Sequence, residues 1–263
     1  MPASATSFAP MLAEIDTTED AVLGGRLVLR QPRRGHRFGH DAILLAAATD
    51  ARSGERACEL GAGVGAAGLA LAHRVGALAV TLVEIDPALA ALARENAARN
   101  GLGERVSVAT LDVTAPPEAL AAAGLAAGSC ARVMMNPPFN DPAHKASPDA
   151  RRRRAHVGSR AMLVAWIDRA AVLLTPSGTL TLIFRAGGLA DVLAATAGFG
   201  AIAVLPVFPR PNAAAIRILV AATKGSRAPL TLLPGLTLND ADGKPSSAAE
   251  AVLRGGEPLA LKP

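Results

Sequence analysis

Between Arg56 and Phe184 the chain alternates short apolar runs with stretches of helical character. Five runs follow one another in this way: RACEL, ALAVTLVEID, RVSVAT, ARVMMN and TLTLIF. Runs of this kind are buried on both faces, and strands joined through helices pair in parallel. The pattern predicts an α/β fold, a mostly parallel sheet covered by helices on both sides. A glycine turn, GAGVG, follows the first strand and runs into a helix that reaches Val75. Pro87 sits where proline suits the first turn of the next helix, which ends at Asn100-Gly101, a left-handed C-terminal signal. A later helix is expected from about Ser159 to Leu174, stopped by Pro176-Ser177-Gly178. AIAVLPVF and AAAIRILVAA, joined by PRPN, read as a closing antiparallel hairpin. Upstream, RLVLRQP suggests an N-terminal strand and GHDAILLAAAT a short helix capped by Asp41.

A chain of 263 residues with 51% hydrophobic content can bury one full core. The expected organisation is a flexible N-terminus over 1–20, a strand and helix covering the site over 21–50, the main domain over 51–225 and a C-terminal extension over 226–263. No basic start leads into an apolar run, and no stretch of about 18 apolar residues is free of Gly, Pro or charge. The chain therefore reads as soluble and cytoplasmic, with no membrane partner. Cys58 and Cys130 lie in apolar segments and form no ligand cluster, so they read as reduced core residues and no metal is expected. A formal net charge of +5 and an isoelectric point near 10.0 point to a polyanionic partner.

Chemistry gathers at the ends of the strands, where open α/β sheets bind ligands. Gly63, Gly65 and Gly68 fit G-x-G-x-x-G, a spacing that lets backbone and a helix N-terminus approach a ligand closely. Glu84 ends the second strand and is placed to hold a ribose through both hydroxyls, which suits NAD and S-adenosylmethionine equally. Glu59 lies just before the glycines. Asp112 follows the third strand, where a carboxylate can accept from an adenine amine.

The fourth strand ends in VMMNPPFN. Asn136 supplies an amide at the strand end, and Pro137 and Pro138 stiffen the backbone and remove two N–H donors, presenting a carbonyl as acceptor. An amide oxygen and a fixed carbonyl aimed at one planar NH2 group have a use. Such a nitrogen is a poor nucleophile because its lone pair is delocalised, and acceptors that fit it as it turns tetrahedral favour attack, each by roughly 3 kcal/mol. Phe139 supplies a stacking face, worth about 1 to 3 kcal/mol against a base.

Taken together, ELGAGVG, VEID, ARENAARNGL, Asp112 and NPPF resemble class I S-adenosylmethionine-dependent methyltransferases of the amino-methylating branch. With RFGHDAILLAAA, the basic segment after NPPF and the terminal hairpin, the chain is similar to the bacterial tRNA1(Val) adenine-N6 methyltransferase family. The resemblance implies a Rossmann-like sheet of seven strands in the order 3-2-1-4-5-7-6 and methylation of an anticodon-loop adenine. It implies that Gly61, Gly63 and Gly65 border the methionine part of S-adenosylmethionine, Glu84 its ribose and Asp112 its adenine. Asn136, Pro137 and Phe139 would hold the target base; Glu59, Asn136 and Asp41 are further candidates for cofactor contact.

The segment PAHKASPDARRRRAHVGSR carries Lys145, Arg151, Arg152, Arg153, Arg154 and Arg160. Arginine forks bind phosphate, so this run is the candidate RNA contact; its alternatives are a solvated, mobile lid and the exposed start of the next helix. His36, Arg37 and His40 form a second basic group without an assigned role. The favoured reading is transfer of a methyl group to adenine N6 in RNA, with tRNA as partner. Methylation of a protein glutamine or of a small molecule stands as alternative, and a dinucleotide-dependent oxidoreductase is the reading from another class.

Overall fold

A computed structural model describes residues 16–35, 37–138 and 150–261, with the backbone alone for 150–159. Two strands, β1 (Thr17–Val22) and β2 (Leu27–Pro32), form an antiparallel hairpin apart from the main sheet. Strand β1 thus starts at Thr17, inside the twenty residues expected to be flexible. Helix α1 (His40–Ala48) follows, then β3 (Arg56–Leu60), α2 (Ala66–Arg74), β4 (Ala79–Glu84), α3 (Pro87–Arg99), β5 (Val106–Thr110), α4 (Pro117–Ala122) and β6 (Cys130–Met135). The second half holds α5 (Ala150–Leu173), β7 (Leu174–Arg185), α6 (Leu189–Ala195), β8 (Phe199–Phe208) and β9 (Arg217–Lys224). It closes with β10 (Thr231–Leu232), β11 (Leu236–Thr237) and α7 (Ser247–Leu253).

Among the described residues the main sheet has nine strands, two more than the seven expected, because β10 and β11 both add to the edge strand β8. Along it the order is β10, β8, β9, β7, β6, β3, β4, β5. Strands β3 to β7 are parallel, and β9 runs antiparallel between β7 and β8. Successive residues of a strand face opposite sides, and the core divides accordingly. Met134 joins Leu44 of α1, Leu69 of α2 and Ala93 of α3 on one face. Its neighbours Val133 and Met135 join Leu120 of α4, Leu163 of α5 and Val192 of α6 on the other. Cys58 and Cys130 are free thiols buried in that second layer.

Local chemistry fixes the element ends. Asp86 caps α3 by accepting from Ala88 N and Leu89 N at 2.8 and 3.3 Å, with Pro87 at the first helical position. Gly101, at φ +68°, turns the chain out of the helix. Asp41 does not cap α1: the cap position is Gly39, and the Asp41 carboxylate instead accepts from Arg217 Nε at 2.8 Å, tying α1 to β9. Helix α5 begins at Ala150, nine residues before the expected Ser159. Pro176-Ser177-Gly178 does not separate helix from strand but lies within β7, whose pairing with β6 jumps from Cys130 with Leu174 to Arg132 with Thr179. The C-terminal extension packs rather than trails: Leu233, Leu236, Val252 and Leu261 enter the first core layer. There Leu259 N donates to Ala47 O at 2.9 Å.

Candidate active site

Strand register assembles the site. Leu60 of β3 is paired with Val83 of β4 on one side and Met135 of β6 on the other. The residues that follow, Gly61, Glu84 and Asn136, therefore leave the sheet at one level, about 5 Å from strand to strand. Thr110 of β5 is level with Glu84, which brings Asp112 to the same edge two residues later.

The glycine turn is fastened to this edge by backbone and carboxylate together. Gly61 N and Ala62 N both donate to Val83 O at 2.9 Å. Gly63 N donates to Glu84 Oε2 at 2.7 Å, and Asp86 N donates to the other oxygen at 2.8 Å. Glu84 is 7% exposed, and each oxygen keeps lone-pair capacity beyond the bond it accepts. Among the described residues a Cβ on Gly63 would meet nothing within 4 Å, so this part of the turn faces away from them. Gly61 is the reverse: a Cβ there would run into the ring of Trp166, with Cζ3 at 2.8 Å. Trp166, half-buried on α5, is a site residue that the motifs did not indicate. Ile85 is another. It is 63% exposed immediately after Glu84 and puts an apolar side chain at the rim.

Glu59 and Asp112 differ in setting. Glu59 is 4% exposed, and its Oε2 accepts from Gly68 N at 2.7 Å in the seam between sheet and α2. Burial raises its pKa, the Gly68 N–H opposes the rise, and the Glu84 charge adds to it; the result is about 8. Glu59 thus supports the turn from beneath and carries its proton at neutral pH. Asp112 is exposed and accepts from both the N–H and the hydroxyl of Thr114 at 2.7 Å, which holds its carboxyl below the usual range.

At the end of β6 the amide oxygen of Asn136 is buried, and among the described residues it has no hydrogen-bond partner. Pro137 beside it is buried and Pro138 exposed. Phe139 and Lys145 lie outside the described residues, as do the side chains of Arg151, Arg152, Arg153 and Arg154. The backbone of those four forms the first turn of α5. Asp41 is held by Arg217 and so meets the sheet at β9, two strands from Asn136. Among the described residues no three His, Cys, Asp or Glu side chains gather as metal ligands.

Residues 38–205, which span β3 to β7 and the whole of this edge, match the methyltransferase small domain family. The chain belongs to that family. As a member of the methyltransferase small domain family it is built around S-adenosylmethionine as methyl donor. Over 161 residues it is 33% identical to a tRNA1(Val) (adenine(37)-N6)-methyltransferase of Porphyromonas gingivalis, covering 59% of this chain and 61% of that one. An Aeromonas hydrophila protein of the same name is 30% identical over 198 residues, 72% of this chain and 77% of the other. A crystal structure from Agrobacterium tumefaciens, described as a predicted O-methyltransferase, is 31% identical with a TM-score of 0.71 over 84% of this chain and 98% of its own. The printed names differ in the acceptor atom: adenine N6 for the first two proteins and oxygen for the third.

Proposed function

We propose that the chain transfers a methyl group from S-adenosylmethionine to the exocyclic N6 of an adenine in RNA, in a tRNA anticodon loop. The observation that carries this reading is the Asn136 amide oxygen, a buried acceptor that among the described residues has no hydrogen bond, at the strand edge beside the glycine turn. An acceptor left without a donor in the folded protein costs free energy unless a ligand supplies one. An NH2 group supplies it. An oxygen nucleophile needs a base to take its proton, a different requirement from the one an amide oxygen meets.

The residues present suit the cofactor. Among the described residues none crowds Gly63, which leaves room for the methionine part beside the turn formed by Gly61, Gly63 and Gly65. Glu84 is positioned by two backbone N–H groups to accept from ribose hydroxyls, and Asp112 keeps Oδ2 for the adenine amine while Oδ1 is held by Thr114. When bound, S-adenosylmethionine supplies an electrophilic methyl group on a sulfonium. Asn136 and the carbonyl of the stiff Pro137–Pro138 segment accept from the target amine and hold its lone pair towards the methyl group. The target nitrogen would exchange one N–H for the methyl group and lose that proton to solvent, while its remaining N–H stays bonded to the Asn136 amide oxygen. Phe139 stacks on the base. Arg151 to Arg154, following this segment on α5, and Lys145 before them hold phosphates.

The test is single-turnover methylation of an unmodified anticodon stem-loop by the parent chain and by Asn136→Ala. The parent is expected to form N6-methyladenosine, and the variant to lose roughly 100-fold in the single-turnover rate constant with cofactor affinity retained, as for loss of one preorganised polar group. Parental turnover in Asn136→Ala would remove the amide from the mechanism. Methylation of a hydroxyl substrate in place of the stem-loop would move the chain to the oxygen-methylating reading.

A further inference from the structure

Strand β2 pairs with β1 along one edge, and its other edge lies against α3 instead of a strand. Two asparagines one helical turn apart replace the missing partner. Val28 N donates to Asn100 Oδ1 and Asn100 Nδ2 donates to Val28 O, both at 3.0 Å. One step along, Arg30 N donates to Asn96 Oδ1 at 2.8 Å and Asn96 Nδ2 donates to Arg30 O at 2.9 Å. The spacings agree, since four residues of helix rise about 6 Å and two residues of strand about 6.6 Å. Each side-chain amide thus pairs with a strand residue as a peptide group would.

Asn96 does one thing more. It is fully buried, and its Nδ2 also donates to Val64 O at 3.1 Å, in the middle of the glycine turn. The second Nδ2 bond of Asn100 stays on its own helix, at Asn96 O. Gly63 and Gly65, at φ +56° and +85°, flank Val64. Glycine visits either hand of backbone space at little cost, so a peptide between two glycines needs an outside contact to hold one arrangement. Glu84 and Val83 hold N–H groups of the turn; Asn96 holds a carbonyl.

We propose that Asn96 is a positioning residue for the cofactor, fixing the Val64 carbonyl, and through it the glycine turn, to the N-terminal hairpin. The bond set explains the residue type. Both amide hydrogens and the oxygen are engaged; aspartate lacks the donors, glutamine is one carbon longer, and a shorter side chain leaves the buried Val64 carbonyl and the half-buried N–H and C=O of Arg30 without this partner. Without Asn96 the turn spends part of its time in arrangements that do not bind, and affinity falls by that fraction. The inference rests on the family's cofactor and not on the RNA reading, so its test needs no RNA.

In the full-length chain, Asn96→Ser and Asn100→Ser are compared by calorimetric titration with S-adenosylmethionine and by thermal unfolding. Both are expected to lower Tm. Asn96→Ser should weaken cofactor binding by about tenfold, the size of one buried hydrogen bond, while Asn100→Ser stays within about twofold of the parent. If Asn96→Ser does not fold, Asn96→Asp is read in the same way, since it keeps the acceptor for Arg30 N and loses both donors. A lowered Tm with parental cofactor affinity in the Asn96 variant would reduce the bond to simple support. Equal weakening in both variants would also overturn the proposal, because the hairpin anchor and not the Val64 bond would then set the turn.

Discussion

The carboxyl of Glu59 lies under the glycine turn with the Gly68 N–H against one oxygen, and burial holds its pKa at about 8. The stability consequence has a definite sign. The folded state keeps a proton that the unfolded chain releases near the ordinary value of 4.5, so this contribution is fully present below that value and is lost as pH rises through about 8. Glu59→Gln keeps an oxygen for Gly68 N without the titration. Between about pH 5 and 8 the parent's Tm should therefore fall more steeply than the variant's; parallel curves would show that Glu59 does not keep its proton. Asp20 and Asp112, whose pKa values are lowered, act on the acid side of this window. From the sequence Glu59 reads as one more acid at the mouth of the site, because nothing in ELGAGVG tells which way a strand residue points. A signal was present nonetheless. Gly68, the last glycine of the fingerprint, marks where α2 comes close to the sheet, and Glu59 sits in that seam.

That closeness is a property of α2 as an element. A Cβ on Gly68 would collide with Leu82 and stand 2.8 Å from Glu59 Oε2 and 3.3 Å from Val80 Cγ1, so either these side chains or the helix would have to shift. Gly68→Ala should cost about 1 to 3 kcal/mol in denaturant unfolding, the range for overpacking a tight seam. Gly63→Ala, with no described neighbour in the way but a left-handed φ, should cost about 1 kcal/mol. Equal losses in the two would mean that α2 gives way easily. Elements written in side chains were legible: β3 to β6 in their apolar runs, α3 in Pro87 and Asn100-Gly101. Elements held by backbone pairing were not. Strand β1, TTEDAV, is half-exposed and polar, and its partner is a hairpin strand braced by two asparagine amides. Strands β10 and β11 are two residues each and exist through pairing with β8. The early start of α5 was hidden by its arginine run, which has none of the apolar spacing that announces a helix.

For the whole molecule, the excess of 27 Lys and Arg over 22 Asp and Glu is unevenly committed. Arg30, Arg33, Arg37 and Arg99 are ion-paired around the N-terminal hairpin and α3. The run from Arg151 to Arg154 contains four cations in succession with no acid among them. Replacing these four by alanine should weaken RNA binding and lower the logarithmic salt slope by about 0.7 for each phosphate no longer held, with cofactor affinity unchanged. Filter binding across a salt series measures this, and an unaltered slope would make the run a solvated face. The ring that rests against Gly61 reaches the same whole-chain scale by another route. The chain has one tryptophan and no tyrosine, and that tryptophan is Trp166, at the glycine turn. Its near-ultraviolet emission therefore comes from one place, and any rearrangement of the turn is written into the colour and intensity of a single indole, with no added dye.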